Sequence, residues 1–205
     1  MQVRKILKNS AILMTITLVA GIALGYTYGI TEKPIANQKE LKKQEAYKAV
    51  FKEATEFAYD DAIEIEKSSK ILQDDGITGA VIDEVVKAVD NNGELLGYVM
   101  NITSKEGYGG DIRFSLGIDI DGTTTGVSIL AISETAGLGM KAKTTDWTQQ
   151  FTEKQVEHFS VTKSQSSSDS EVEAISGATI TSSAMTEGVN AGLSFFRSLQ
   201  EGRDK

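Results

Sequence analysis

The 205-residue chain contains no cysteine and one histidine, His158, and its 29 acidic against 21 basic residues give a formal net charge of −8. Without cysteine the chain cannot form disulfides, thiolate metal sites, iron–sulfur ligation or a thiol nucleophile, and one histidine excludes multi-histidine metal sites. The acidic balance disfavours phosphate contacts, so we expect no nucleic-acid partner. The length predicts one domain of ordinary size with an appendage.

The N-terminal segment has the pattern of a membrane anchor. Residues 1–10 are basic, whereas residues 11–30 carry no charge and are long enough to cross a hydrocarbon core of about 30 Å as a helix. A soluble core helix would show a polar face, and a cleaved secretory signal would be shorter and end in a cleavage site; Gly25–Gly29 keeps this second alternative open. We expect an uncleaved transmembrane helix over 11–30. The basic residues before it predict a cytoplasmic N-terminus and place the acidic remainder outside the cell membrane.

A helical pattern continues after Pro34, the only proline of the chain. Apolar residues recur there at helical spacing, namely Tyr47, Val50, Phe51, Ala54 and Phe57. This spacing predicts a helical stalk over 31–57, with one apolar stripe packed against a folded domain that we place at 58–205.

The next part of the chain has the signals of an antiparallel sheet. Runs with strand character are separated by loops, two of which carry the turn signals Asn92-Gly93 and Asp121-Gly122. The predicted strands are Val81–Val89, Leu95–Ile102, Ile112–Ile120 and Thr124–Ile132.

Helical character returns after the sheet. Apolar spacing predicts helices over Thr145–Phe159 and Ser183–Leu199, with an exposed serine-rich loop at Ser164–Ser170 between them. Trp147 and His158 fall in the first of these helices, and we interpret both as structural residues. The fold class is therefore α+β, with one antiparallel sheet flanked by helices.

Three glycine-bearing segments lie between the predicted elements: EGYGG at 106–110, ETAGLG at 134–139 and SGATITS at 176–182. Glycine clusters are commonly plain turns, and this alternative stays open for the first two segments. The third leads into a helix, where unpaired backbone N–H groups and the helix dipole favour a phosphate. Its hydroxyl groups lie within reach of such a phosphate. A capping role for the hydroxyls of residues 181–183 is compatible with this interpretation.

Together, SGATITS, ETAGLG and GYGG behind one anchor resemble the FMN-binding domain of membrane ion-translocating electron-transport complexes, above all the RnfG component of the Rnf complex. The NqrC component of the sodium-translocating NADH:quinone reductase is similar and usually longer. The resemblance covers essentially the whole chain, and S/T-G-A-T is its specific part. It implies that 58–205 is an FMN-binding domain. The composition agrees, because a redox subunit without cysteine and with one histidine needs an organic cofactor.

The resemblance implies covalently bound FMN. In such families the FMN phosphate forms a phosphoester with the last threonine of S/T-G-A-T, which is Thr179 here. A separate flavin transferase makes this bond from FAD and recognises an upstream acidic residue. This chain has Glu173 where aspartate is usual. Ala136 replaces the usual proline of E-T-P-G-L-G, which predicts a more mobile loop.

The resemblance also implies further cofactor-binding residues. Those expected around the phosphate are Ser176, Gly177, Ala178 and Thr181, and those expected to border the flavin are Glu134, Thr135, Gly137, Leu138 and Gly139, with Tyr108 stacked nearby. We expect neither metal ligands nor catalytic residues. A serine or threonine hydrolase would need a base beside its nucleophile, and the one histidine lies in a different predicted element.

The implied function is an electron relay in a membrane complex that couples electron transfer between ferredoxin and NAD to translocation of Na⁺ or H⁺. Its expected partners are the other components of that complex, the flavin transferase and the membrane. One alternative is the equivalent flavin-bearing component of a sodium-translocating NADH:quinone reductase. The other is a membrane-anchored structural domain without a redox role.

Overall fold

The computed structural model describes residues 2–60 and 62–203 of the chain. Helices and strands follow in the order α1 (Gln2–Val50), β1 (Glu56–Tyr59), α2 (Ser68–Asp74), β2 (Ala80–Val89), β3 (Leu95–Ser104), β4 (Ile112–Asp119), β5 (Thr124–Ala131), α3 (Thr145–Thr148), β6 (Ser160–Thr162), β7 (Glu171–Glu173) and α4 (Thr179–Arg203). Short 3₁₀ turns lie at Ile65–Lys67, Gly139–Lys143 and Gln149–Phe151. The chain divides into two compact units between Lys42 and Lys43.

The first unit, up to Lys42, is formed by helix α1, which continues through Pro34 without a break and ends in the second unit. The large apolar side chains of α1 between residues 3 and 41 are exposed, and Leu24 is 72% accessible. Threonine hydroxyls in the apolar run donate to carbonyl oxygens one turn earlier, as Thr15 does to Ala11 at 2.9 Å. Such bonds satisfy the hydroxyl groups without water. Within the described part of the chain, α1 is the one helix long and apolar enough to cross a membrane.

Helix α1 ends at Val50, whereas the sequence pattern predicts helix up to Phe57. Phe57 lies instead in β1, where it pairs with Ala88 of β2. The residues at helical spacing nevertheless share one apolar cluster, made of Tyr47, Val50, Phe51, Ala54, Val86, Ala88 and Val99, with Phe57 against it. The helix prediction was wrong after Val50 because the spacing reflects burial against the sheet, which a strand achieves equally well. The division into a stalk over 31–57 and a domain over 58–205 stays a prediction.

Strands β1 to β5 form one antiparallel sheet in sequence order. The four predicted strands are confirmed with small shifts at their ends, and β1 adds an edge strand. The turns after β2 and β4 are tight because Asp90 and Asp119 each accept backbone N–H groups from the turn that follows. Gly93 and Gly122 complete these turns with φ angles of +81° and +87°.

Helix α4 packs on one face of this sheet and forms the main core with it. A side chain at Gly188 would place its Cβ 2.8 Å from Cζ of Phe114, and one at Gly192 would overlap Leu116. The two glycines therefore let the helix approach β4 closely. Phe114 and Leu116 are fully buried as a result.

The predicted helix over Thr145–Phe159 is wrong beyond its first turns. Helix α3 and a 3₁₀ turn end at Phe151, and Glu153 adopts a φ of +57°. The following backbone pairs with Thr124, whose N–H donates to Lys154 O at 2.9 Å. The apolar residues at helical spacing are instead buried aromatic residues whose rings contact one another. The ring of Phe151 lies edge-on to the rings of both Trp147 and Phe159.

The exposed serine-rich loop at Ser164–Ser170 is confirmed, and it joins β6 to β7, which pair in parallel. Helix α4 begins at Thr179, earlier than the predicted start at Ser183, and runs past Leu199. Thr179 is therefore the first residue of a long helix, and the loop from β7 leads directly into it.

Candidate functional site

The three glycine segments, 106–110, 134–139 and 176–182, meet around the side chain of Glu134. This carboxylate is buried at 8% exposure, and Oε1 accepts the backbone N–H of Gly109 at 3.1 Å. A Cβ at Gly139 would lie 2.7 Å from both Oε2 of Glu134 and Oγ1 of Thr181. The structure thus brings together segments that are far apart in the sequence, and Glu134 is the residue that joins them.

Glycine is required where these segments touch. A Cβ at Gly107 would overlap the carbonyl oxygen of Gly110, and one at Gly109 would overlap that of Ser133. The backbones of the first and second segments therefore lie against each other without side chains between them. This close approach explains the glycines better than turn formation alone.

The second segment is a tight turn that carries an exposed leucine. The carbonyl oxygen of Thr135 accepts N–H groups from Leu138 and Met140, both at 3.2 Å, and Gly137 adopts a φ of +78°. Leu138 is 41% exposed, and its Cδ2 would lie 3.1 Å from a Cβ at Gly177. The leucine therefore offers an apolar surface directly beside the third segment.

The third segment presents one threonine and buries the next. Thr179 is half-buried at the first position of α4, whereas Thr181 and Ser182 are 1% and 0% exposed. Ser176 and Gly177 are exposed, and Gly177 turns the chain with a φ of +76°. Among the threonines of the motif, Thr179 is therefore the one accessible to solvent.

The position of Thr179 at the N-terminus of α4 favours a nearby negative charge. The first N–H groups of a helix have no partner within it, and the dipole of a 25-residue helix such as α4 favours negative charge at its start. Together with the hydroxyls of Ser176 and Thr179, these donors fit a phosphate. The three glycine segments also expose the side chains of Leu138, Ile180 and Tyr108.

Tyr108 lies at the exposed tip of the first segment, with 71% of its surface accessible. The carboxyl of Glu106, at the start of this segment, lies beside Glu187 of α4. A hydrogen bond with Glu187 and its like charge raise the pKa of Glu106.

The sequence predicted no role for Gln150 or Ile180, and for Ser182 it predicted only helix capping. Gln150 was hidden by the incorrect helix over Thr145–Phe159, although its position beside a buried tryptophan is a usable signal. With Trp147, it lines a cavity of about 590 Å³ that extends past Glu173 to Ser176. Ile180 stands next to Thr179 and is 55% exposed, which is unusual for an isoleucine in the first turn of a core helix.

Two family models match the chain. Residues 107–194 match the FMN-binding domain, and residues 1–50 match the RnfG N-terminal region. The first match begins inside the first glycine segment and contains the other two completely.

Two curated relatives align with the chain over nearly their full length. The G component of the Na⁺-translocating ferredoxin:NAD⁺ oxidoreductase complex of Acetobacterium woodii is 33% identical, over 96% of this chain and 94% of the relative. The G component of the ion-translocating oxidoreductase complex of Methanosarcina acetivorans is 30% identical, over 97% of this chain and 98% of the relative. Among solved structures, NqrC of Shewanella oneidensis is similar at 23% identity and a TM-score of 0.49, over 57% of this chain and 60% of the other.

Proposed function

Because the chain belongs to the RnfG family of ion-translocating oxidoreductase complexes, we propose that it is the flavin-bearing electron-relay subunit of such a complex. The complex couples electron transfer between ferredoxin and NAD to ion translocation, and this subunit has no substrate of its own. FMN, when bound, supplies reversible acceptance of electrons, and the protein supplies its position and electrostatic surroundings.

The attachment site is Thr179. This assignment is supported by burial: Thr179 is half-buried at the N-terminus of α4, whereas the neighbouring Thr181 and Ser182 are buried. In the attachment step the Thr179 oxygen displaces AMP from FAD. One P–O bond to threonine forms, the pyrophosphate P–O bond breaks, and the hydroxyl proton is released. The flavin transferase is the maturation partner, and Glu173 supplies the exposed carboxylate that it recognises.

The other residues hold the cofactor by position. Ser176, Gly177, Ala178 and Thr181 would hold the phosphate. Leu138 and Tyr108, together with the turn of Thr135, Gly137 and Gly139, would border the flavin ring. Glu134 would act indirectly, by holding the three glycine segments together, and its hydrogen bond with the Gly109 N–H supports this role.

The apolar part of α1 anchors the subunit in the membrane, with residues 1–10 in the cytoplasm and the FMN-binding domain outside. The basic N-terminus supports this orientation. Protease added to intact spheroplasts should cut the exposed loop at Ser164–Ser170. Protection there, together with cleavage in inverted vesicles, would reverse the orientation.

Mass spectrometry of the full chain tests the attachment. After co-expression with the flavin transferase, the wild-type chain should gain the mass of one FMN less water, located on the peptide that contains Thr179. The Thr179→Val variant should gain nothing, whereas Ser183→Ala, the control that removes an exposed hydroxyl from the same helix, should be modified normally. Modification of Thr179→Val would disprove the assigned residue, and an unmodified wild-type chain would favour the structural-domain alternative.

The match of residues 1–50 to the RnfG N-terminal region favours the ferredoxin:NAD complex over the sodium-translocating NADH:quinone reductase. A complex assembled with Thr179→Val should therefore lose ferredoxin:NAD⁺ electron transfer and ion pumping together. Normal coupled turnover without flavin on Thr179 would remove this flavin from the electron path.

A further inference from the structure

The loop between β7 and α4 is held at its entrance by side chains from the 3₁₀ region. Glu173 donates its N–H to Oε1 of Gln150 at 2.8 Å, and Nε2 of Gln150 faces the carbonyl oxygen of Glu173 at 3.4 Å. Nε1 of Trp147 donates to the same carbonyl at 2.9 Å. Both backbone groups of Glu173 are thus fixed from one side.

The exit of the same loop is held by Ser182. Its Oγ accepts the N–H of Ile175 at 2.9 Å and donates to the carbonyl oxygen of Ala178 at 3.0 Å. Ser182 is completely buried, so these bonds do not compete with water. A single hydroxyl therefore ties both ends of the turn at residues 175–178 to the first turn of α4.

The loop depends on these bonds because strand pairing ends before it. The last ladder-type bond runs from Ala174 N–H to Thr162 O at 2.8 Å, and Gly177 then introduces a left-handed turn. Glycine gives an unrestrained loop wide conformational freedom. Trp147, Gln150 and Ser182, which we call the loop frame, remove that freedom immediately before Thr179.

We infer that Gln150 and Ser182 are positioning residues that fix the direction in which Thr179 carries its flavin. This inference rests on the proposed function and extends it. A phosphoester side chain has several rotatable bonds, so the orientation of the attached ring depends on the rigidity of the backbone that carries it. Attachment needs the accessible Thr179 hydroxyl and the exposed Glu173 carboxylate, and substitutions at Gln150 and Ser182 remove neither group. The loop frame therefore acts on the loaded protein and leaves the extent of modification unchanged.

Amide hydrogen exchange on the unloaded full chain tests the frame directly. Gln150→Ala should speed exchange of the Glu173 amide, and Ser182→Ala that of the Ile175 amide, each by about fivefold, the typical effect of one hydrogen bond. Gln149→Ala and Ser183→Ala are the matched controls, because these neighbours have the same side chains in exposed positions. Unchanged exchange in both test variants would overturn the inference.

Flavin fluorescence anisotropy of the modified full chain tests orientation. Gln150→Ala and Ser182→Ala should show a larger amplitude of fast flavin motion than wild type, with complete modification by intact mass. Gln150→Glu keeps an acceptor for the Glu173 N–H and should restore most of the wild-type anisotropy. Reduced modification with unchanged anisotropy would overturn the positioning role. An unmodified wild-type chain would instead contradict the proposed function. The amide hydrogen exchange of the unloaded chain would still show whether Gln150 and Ser182 hold the loop.

Discussion

The two faces of the five-stranded sheet are built on different principles. The face beneath α4 is apolar, and Phe114, Leu116 and Met100 are fully buried there. The opposite face combines a small apolar cluster with a network of polar groups around Glu84. The first face positions the helix that bears Thr179, and the second connects the end of α1 to the sheet.

The polar network continues from the surface to the middle of the sheet. Glu84 accepts from Lys43 and Tyr47, each at 3.0 Å, and from Tyr59. Asn101 donates to Oε2 of Glu84 at 2.6 Å, and Asn101 Oδ1 accepts from Ser115 at 2.6 Å.

The stability that each face contributes should therefore respond to different changes. Apolar packing depends on volume and is indifferent to pH, because none of its groups titrates. A hydrogen-bonded carboxylate depends on its protonation state and loses stabilisation in acid. The site-bearing face should therefore respond most to changes in side-chain size, and the face near α1 most to changes in charge.

The largest effect is expected from Phe114→Ala. Removal of this fully buried ring leaves a cavity between β4 and α4 and should cost about 3–5 kcal/mol in the free energy of unfolding. Urea unfolding of the full chain in detergent measures this loss. Tyr108→Ala, which removes an exposed ring, should change stability by less than about 0.5 kcal/mol. Equal losses in the two variants would refute the assignment of the α4 face as the main core.

Asn101→Ala should have the next largest effect. It removes a buried hydrogen-bond partner of both Glu84 and Ser115 and should cost about 1–3 kcal/mol. The control is Asn91→Ala in the exposed turn after β2, expected within about 0.5 kcal/mol of wild type. A neutral Asn101→Ala variant would mean that the network contributes nothing to stability.

A change of pH should separate the two faces. Burial raises the pKa of the Glu84 carboxyl, but hydrogen bonds from Tyr59 and Lys43 and the charge of Lys43, with further hydrogen bonding, outweigh burial and hold this pKa below its usual value of 4.5. The stabilisation is therefore complete above pH 4.5 and is lost as the pH falls through the lower folded-state pKa.

Glu84→Gln should accordingly flatten the loss of stability in acid. Urea unfolding between neutral and acidic pH measures this, with the exposed Glu94→Gln as control. An acid dependence that persists unchanged in Glu84→Gln would assign it to other carboxyl groups. Phe114→Ala should lower stability by the same amount at each pH.

The sequence predicted β2 to β5 well because their apolar runs are typical of strands and because tight turns with aspartate and glycine follow β2 and β4. The helix predictions failed at Phe57 and between Phe151 and Phe159, where apolar residues at helical spacing are buried by extended chain instead of a helix. The partner of a buried aromatic ring is set by tertiary contacts, which spacing along one segment does not contain.

The site shows the same limit. The motifs predicted the three glycine segments, and the structure brings them together. Nothing in the sequence indicates that the Glu134 carboxylate lies between Gly109 and Gly139, because that contact spans separate loops. The roles assigned to Thr179 and its neighbours stay predictions.

The smallest effect is expected at the outer end of the polar network, with Lys43→Met. The ammonium lies 3.0 Å from Glu84 but is partly exposed, so its loss should cost no more than about 1 kcal/mol at neutral pH. Without this charge the pKa of Glu84 rises towards its usual value, and acid unfolding should begin at higher pH than in wild type. Lys48→Met, an exposed lysine in the same helix, is the matched control. High salt should reduce the difference between wild type and Lys43→Met, because it screens an exposed charge more than a buried hydrogen bond. A loss as large as that of Phe114→Ala would mean that this face, too, is held mainly by a fully buried contact.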